Sequence, residues 1–287
     1  MRLPDQKYTL AASAAAWVAC LAPQAYAQEA MYTEAATMPS PGTFVLREQV
    51  HYIKYGSHPV RGTRSTEDIK WEQSLSVGLW RGVALRITSP AVWRNDEFPA
   101  ASGRDDQGDK GLEDFQAQFK WRVYQDDSGG IDTLRVALLG GATVASGDDH
   151  DFSSGSVNPE IGAVLTRVWD RHGFNQDLIY RFNTGGDREG NFGGDGVDDA
   201  LCFNSAYLYR IAPSAYTAET TGSWYVTAEV NGLYETNGDT ELRFSPGLMY
   251  EGRRWGFEVM AQLPLWHDLD ERAELDLAIG IGFRLLF

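Results

Sequence analysis

The sequence predicts an all-β fold, a transmembrane up-and-down antiparallel β-barrel of about 12 strands. Three observations predict it. Apolar and polar residues alternate with period two in segment after segment beyond residue 42, the period of a strand with one apolar and one polar face. The connections between these segments alternate between short and long, and acidic charge collects in the connections of one parity.

Chain-level figures narrow the classes first. The 287 residues are 43% hydrophobic and carry a formal net charge of -15, with a mean hydropathy of -0.35. The longest apolar run, Ala11 to Ala22 interrupted by Ser13, falls short of the roughly 18 to 20 residues that a membrane-spanning helix needs. An aromatic content of 12% with nine tryptophans is too high for a disordered acidic chain. Nucleic acid is excluded as a partner, because neutralising phosphates requires clustered Lys and Arg.

Residues 1–27 read as a signal peptide. Arg2 and Lys7 supply a positive start, Ala11 to Ala22 an apolar middle, and Ala25-Tyr26-Ala27 a small-x-small cleavage site before Gln28. A lipoprotein box around Cys20 fits less well, because Trp17 stands where such boxes carry Leu. Cleavage leaves 23 basic and 39 acidic residues and Cys202 as the single cysteine, so no intramolecular disulfide is expected. Residues 28–42, which contain Pro39 and Pro41, form a leader expected in the periplasm, and residues 43–287 form the barrel.

Strands are expected near 43–55, 69–79, 83–88, 112–124, 131–144, 157–169, 174–183, 200–212, 224–234, 241–250, 255–266 and 273–287. The first is the weakest, because Glu48 interrupts the apolar face of Phe44, Leu46, Val50 and Tyr52. In the fourth, Phe115, Ala117, Phe119, Trp121 and Val123 oppose Asp114, Gln116, Gln118, Lys120 and Arg122. The last is the cleanest, with Leu275, Leu277, Ile279, Ile281, Phe283, Leu285 and Phe287 on one face.

Short connections at 80–82, 125–130, 170–173 and 251–254 alternate with long ones at 56–68, 89–111, 145–156 and 184–199; the stretch 213–223 breaks the rule. The six connections of outer parity sum to a charge of about -13 and the five inner ones to about -1, a sorting expected of a barrel with long outer loops and short inner turns. Trp80, Trp121, Trp169, Trp224 and Trp255 flank the inner turns, while Trp71, Trp93 and Trp266 lie towards the outer ends, as aromatic girdles would.

In lipid the outward face must be apolar and the backbone paired within the wall, so the polar alternates face the lumen. This assigns Lys70, Arg86, Lys120, Arg122, Arg135, Arg181, Arg210, Arg243 and Arg284 to the interior, opposed by Glu72, Asp114, Glu160, Asp177, Glu229, Glu241, Glu258, Glu274 and Asp276. Such a set either braces the wall as a salt-bridged interior or forms a charged constriction. Arg167 falls on the lipid-facing side and, near an inner turn, can snorkel to the interface.

Several segments carry a family likeness: Pro39-Ser40-Pro41-Gly42-Thr43-Phe44, Leu139-Gly140-Gly141 with Ser146-Gly147-Asp148, Ala206 to Pro213, Glu229-Val230-Asn231-Gly232 and Ser245-Pro246-Gly247-Leu248. On these the chain resembles the meta-pathway phenol-degradation family of outer-membrane barrels. That resemblance implies a transport channel for small hydrophobic or aromatic solutes, and it implies no site residues. The long-chain fatty-acid transporters are similar in kind but carry an N-terminal plug, for which this leader is expected to be too short. The terminal Phe287, closing an alternating strand, resembles the signal read by the outer-membrane barrel assembly machinery, which implies a Gram-negative origin. Outer-membrane lipid and lipopolysaccharide are then partners.

No chemistry-bearing motif competes strongly. His51, His58, His150, His172 and His267 stand at no metal-ligand spacing, so no metal and no cofactor is expected. A barrel enzyme acting on lipids is the enzymatic alternative, but no His is followed two residues later by a Ser on a strand, and a nucleophile without a positioned base is only a hydroxyl. The acidic stretches 148–151 and 187–199 lack the alternating ligands and terminal Glu of a calcium loop. A soluble periplasmic β-sandwich that binds a ligand is the remaining alternative.

Overall fold

The computed structural model describes residues 28–128, 131–148, 152–185 and 198–287. The expected signal peptide, His150 and Asp151, and most of the 187–199 stretch lie outside the described residues.

The strands follow in chain order: β1 (Phe44–Tyr55), β2 (Ser65–Trp80), β3 (Val83–Glu97), β4 (Gln107–Leu112), β5 (Phe115–Ser128), β6 (Asp132–Val144), β7 (Asn158–Trp169), β8 (His172–Arg181), β9 (Ala200–Ala212), β10 (Gly222–Glu235), β11 (Thr240–Gly252), β12 (Trp255–Asp268) and β13 (Leu275–Leu286). Each strand pairs antiparallel with its chain neighbours, except that β4 and β5 both pair with β3 and not with each other, and β1 pairs with both β2 and β13, so the sheet closes on itself. Because β4 and β5 share one place in the wall, the circumference holds 12 strands. At the seam, Phe44 N donates to Phe287 O at 2.8 Å and Phe287 N to Phe44 O at 3.0 Å. A closed wall of this kind rules out the two packed sheets of a sandwich and leaves no edge to satisfy.

Burial is inverted relative to a soluble protein. Trp121 and Ile161 are each 57% exposed and Ile281 49%, whereas Thr166, Asp177 and Glu229 are 0% exposed. Alternation thus places apolar residues on the outer face and polar ones within, the pattern of a barrel in lipid.

Glu48 does project among the outward residues of β1, and its Oε2 accepts a 2.7 Å hydrogen bond from Trp71 Nε1. Directly across the ladder stands Gln73, so the carboxylate that breaks the apolar face has polar company on β2.

Two boundaries differ from the expectation. The strand expected to begin at 69 begins at Ser65, and the long outer connection expected at 89–111 is mostly a hairpin in which Ala91–Asp96 of β3 pair with Gln107–Leu112 of β4. The wall continues upward, with Arg94 and Asp96 buried inward. Residues this far out carry polar groups on both faces, so alternation of hydropathy no longer marks the strand.

Between β4 and β5 the chain bulges at Glu113-Asp114. Asp114 turns into the loop that follows β6, where its carboxylate accepts from Ser146 N at 2.9 Å, Gly147 N at 2.9 Å, Ser153 Oγ at 2.8 Å and Ser154 N at 2.8 Å. One carboxylate therefore ties the outer end of β5 to its neighbouring loop.

Candidate functional site

Residues 28–38 lie inside the barrel. This corrects both the periplasmic placement of the leader and the expectation that it is too short to fill a lumen. Ala30, Ala35 and Ala36 are at most 1% exposed, and the segment touches strands from all sides. It rises from Gln28, held near the inner ends of β8 and β11, to Tyr32 and Thr33, then descends to β1.

A segment without regular structure has free backbone groups, and burying them unpaired is costly. The wall supplies partners for several of them. Glu229 Oε1 accepts from Met31 N at 3.0 Å, and its Oε2 from Tyr32 N at 3.2 Å and Thr33 Oγ1 at 2.6 Å. Asp177 accepts from Glu34 N at 2.7 Å, and Thr166 Oγ1 from Ala36 N at 2.8 Å. On the acceptor side, Arg47 donates to Ala30 O at 2.8 Å, Lys120 to Ala35 O at 2.7 Å and Asn175 to Gln28 O at 2.7 Å.

Charge and shape reinforce the fit. Glu34 pairs with Lys120 at 2.8 Å and with Arg86, while Glu29 pairs with Arg284 at 3.2 Å. Ala30 packs against Ala206, Leu208, Tyr225 and Met249, and Ala36 against Ala137, Leu139, Val164 and Ile179. Gly280 of β13 leaves the room that Met31 needs, since a Cβ there would lie 2.5 Å from Met31 Sδ. The lower lumen is consequently almost solid, and the void lined by Glu29, Met38, Arg47, Arg86 and Lys120 has a volume of about 30 Å³, room for one water.

Above the leader the lumen is open. A cavity of about 380 Å³ has Met31, Tyr32 and Glu34 as its floor and is walled by residues of β1, β2, β3, β5, β8, β9, β10, β11, β12 and β13, within the size range of small-molecule sites. Its charged side chains are largely paired with one another. Lys70 meets Glu113 at 2.7 Å, Arg243 meets Glu241 at 2.6 Å, Arg272 meets Glu235 at 2.7 Å and Arg94 grips Asp68 with two bonds of 3.0 Å. Between the charges lie two apolar patches, one of Ile53, Tyr55 and Ala278 packed with Leu275 and Ala273, the other of Ile179 and Cys202. Tyr32 OH lies 3.3 Å from His51 Nδ1 at the floor.

The residues expected to face the lumen divide into groups. Lys70, Glu72, Arg86, Asp177, Arg181, Glu241 and Arg243 line the cavity. Lys120, Glu229 and Arg284 contact the leader, and Glu258 reaches it through Arg47 at 2.8 Å. Glu160 accepts from Gln116 and Gln118 and stands 3.6 Å from Arg181. Arg210 donates to Asp170 O at the inner turn. Arg122 lies at the inner rim, as does Arg135, which pairs with Asp127 at 3.3 Å on the β5–β6 hairpin.

Three of them do not belong to the lumen. Asp114 is engaged by the outer loop, Glu274 lies ahead of β13 with its side chain 54% exposed beside His267, and Asp276 is exposed where the β1–β13 register shifts. The register shift between Lys54 and Tyr55 is what throws the parity of that last pair.

Sequence reasoning passed over Glu29 and Glu34 of the leader and Arg47, Gln49, His51, Asp68 and Arg272 of the wall and outer end, which contact the leader or line the cavity. Parity alone places Arg47, Gln49 and His51 inside once Phe44, Leu46 and Val50 are outside. The leader residues carry no periodic signal. The structural clue was Glu229, whose cross-strand neighbours Ala206 and Ser245 offer it no cation.

A closed antiparallel wall, apolar outside and polar within, defines a transmembrane β-barrel. No family model matches the chain, and no curated protein does. Solved structures are similar to it in fold. An outer membrane channel from Pseudomonas putida F1 superposes with a TM-score of 0.61 at 9% identity, covering 91% of this chain and 100% of its own. The beta domain of the Bordetella autotransporter BrkA gives a TM-score of 0.50 at 14% identity, over 86% of this chain and 100% of its own. At these identities the likeness is one of architecture. Among the described residues no group of three or more His, Cys, Asp and Glu side chains could hold a metal ion.

Proposed function

We propose that this protein is an outer-membrane channel that passes small solutes down their gradient, without chemistry. The observation that carries the reading is the contrast within one lumen: a cavity of about 380 Å³ floored by the leader, and below it a void of about 30 Å³. Solutes enter the upper cavity from outside and cross when the leader yields. The apolar patch of Ile53, Tyr55 and Ala278 beside paired charges suits a solute with a compact apolar or aromatic body and a polar group. That agrees with the solute class implied by the family resemblance, and the fold likeness to an outer membrane channel supports it.

The same reading assigns the outer membrane of a Gram-negative cell as its location, with lipid and lipopolysaccharide around the acidic outer loops. The barrel assembly machinery would read the final strand, in which Phe287 pairs with Phe44 across the seam.

Uptake into liposomes containing the purified barrel tests the proposal. Small phenolic and other aromatic solutes are expected to enter faster than sugars of equal size. A barrel that admits none of them, and conducts no ions in planar bilayers, would refute it.

A further inference from the structure

The inner end of the leader carries one more feature. Gln28 N lies 3.3 Å from Glu251 Oε1, and Gln28 as a whole is 4% exposed. Asn175 holds its carbonyl at 2.7 Å, and Gly173 leaves space for its side chain, since a Cβ there would lie 1.8 Å from Gln28 Oε1. The direct ion pairs around this point are unequal. Arg47 and Arg284 are shared among Glu29, Glu251 and Glu258, two cations against three anions. Glu251 fares worst, at 3.9 Å from Arg284.

The sequence supplies the missing cation. Ala25-Tyr26-Ala27 reads as a cleavage site immediately before Gln28, and cleavage there would make the residue against Glu251 the chain terminus. The backbone fits that state. Gln28 has φ +57, a left-handed value that side-chain-bearing residues adopt at a cost because of clashes with the flanking peptide groups. A terminal residue has no preceding carbonyl, and half of that constraint disappears.

We propose that the α-ammonium of processed Gln28 is the buried ion-pair partner of Glu251 and that this pair pins the leader in the lower lumen. A signal peptidase hydrolyses the Ala27–Gln28 bond with one water. The hydroxyl goes to the Ala27 carbonyl, which leaves as a carboxylate, and the freed amine is protonated to the ammonium. The new cation makes the local count three against three. A buried carboxylate with a partner is tolerated where one without is not. The pair also keeps the amine protonated, which prevents it from attacking its own side-chain amide and closing to pyroglutamate with loss of ammonia.

The test uses full-length protein taken from membranes, and it holds whether or not solutes cross the barrel. Mass measurement of the mature chain is expected to give a start at Gln28 with an uncyclised amine. Acylation of that amine by an activated ester at neutral pH is expected to be about tenfold slower in the folded barrel than in urea, as for other groups reached only by local opening. In Glu251→Gln the protection is lost and cyclised terminus accumulates, while in Gln28→Ala, which keeps the amine, protection persists. Heat-modifiable mobility on gels checks that each variant is folded. A mature chain that starts elsewhere, a wild-type terminus already cyclised, or an amine equally reactive in folded and unfolded wild type would overturn the proposal, as would protection unchanged in folded Glu251→Gln.

Discussion

The two halves of the lumen are built from the same residue types and do opposite things. In the upper half, acids and bases answer one another within the wall, across strands as Asp68 does Arg94 or along one strand as Glu241 does Arg243, and a cavity of about 380 Å³ remains. In the lower half, Glu229 and Asp177 accept from the leader's amides and Arg47 and Lys120 donate to its carbonyls, and almost no space is left. Charge in a barrel interior therefore has no single meaning. It braces a wall when its partner is another strand, and it docks a peptide when its partner is a backbone.

The sharpest way to break the comparison is to remove residues 28–38 while keeping the signal segment. The lower half should become as open as the upper, and single-channel conductance should rise several-fold with heat-modifiable mobility retained; unchanged conductance would mean that the leader does not close the lumen. Replacing Glu229 by Ala is next in size. It leaves two amides and the Thr33 hydroxyl without their acceptor, and hydrogen bonds to a charged acceptor contribute about 1.5–3 kcal/mol each. Leader docking should weaken enough to give long open events in planar bilayers, whereas Glu241→Ala, in the upper half, should alter ion selectivity without them.

Thiol labelling contrasts the halves more gently. Cys202 carries a thiol that is in no disulfide and lines the upper cavity, so a small thiol reagent added from outside should modify it in the intact protein. A cysteine at position 166, beneath the leader, should react only after residues 28–38 are deleted. Equal rates at the two positions would remove the distinction between open and filled halves.

The smallest expected effects are those of pH on the outer end. Burial, together with Arg61 and Arg272 nearby, lowers His58 from 6.5 to about 4. Because the folded loop disfavours the charged form, its stability is full above pH 6.5 and declines as pH falls towards 4. Protease nicking of the outer loops should rise over that window and be flattened in His58→Asn. Burial would push the Asp114 carboxyl up, but the Ser154 hydroxyl and the amides of Gly147, Ser146 and Ser154 together hold it below its ordinary 3.8. Its stabilising contribution is present above that value and is lost only as pH falls below it, so Asp114→Asn should loosen the 146–154 loop at pH 7 and matter little in strong acid.

How much of this was legible in the sequence depended on where lipid imposes a rule. Within the membrane, alternation placed β5 and β13 from Ile279 onwards with their facings, because lipid permits only apolar outward residues, whereas Leu275, expected outward, is buried within the barrel beyond the register shift. Above the membrane, the β3–β4 hairpin was unreadable: Asn95, Asp96, Asp109 and Lys110 are polar on both faces, and nothing there demands a period. The leader was unreadable for another reason. Its sixteen-residue course to β1 takes shape from Glu229, Asp177, Arg47 and Lys120, which come from β10, β8, β1 and β5, and no local pattern encodes that gathering. What parity did offer was Arg47, Gln49 and His51, whose inward facing follows from the outward facing of Phe44, Leu46 and Val50.

The measurement that bears most directly on the leader as the element that must yield is solute uptake through one protein in two redox states. Ala36 N lies 2.8 Å from Thr166 Oγ1, so the double variant Ala36→Cys, Thr166→Cys, in a Cys202→Ser background, puts one thiol on the leader and one on the strand segment it contacts. Oxidation to the disulfide then fixes the leader to β7 in the lower lumen. Reduced protein should load liposomes with a small aromatic solute at the wild-type rate and oxidised protein should not. Equal uptake in the two states would contradict the account.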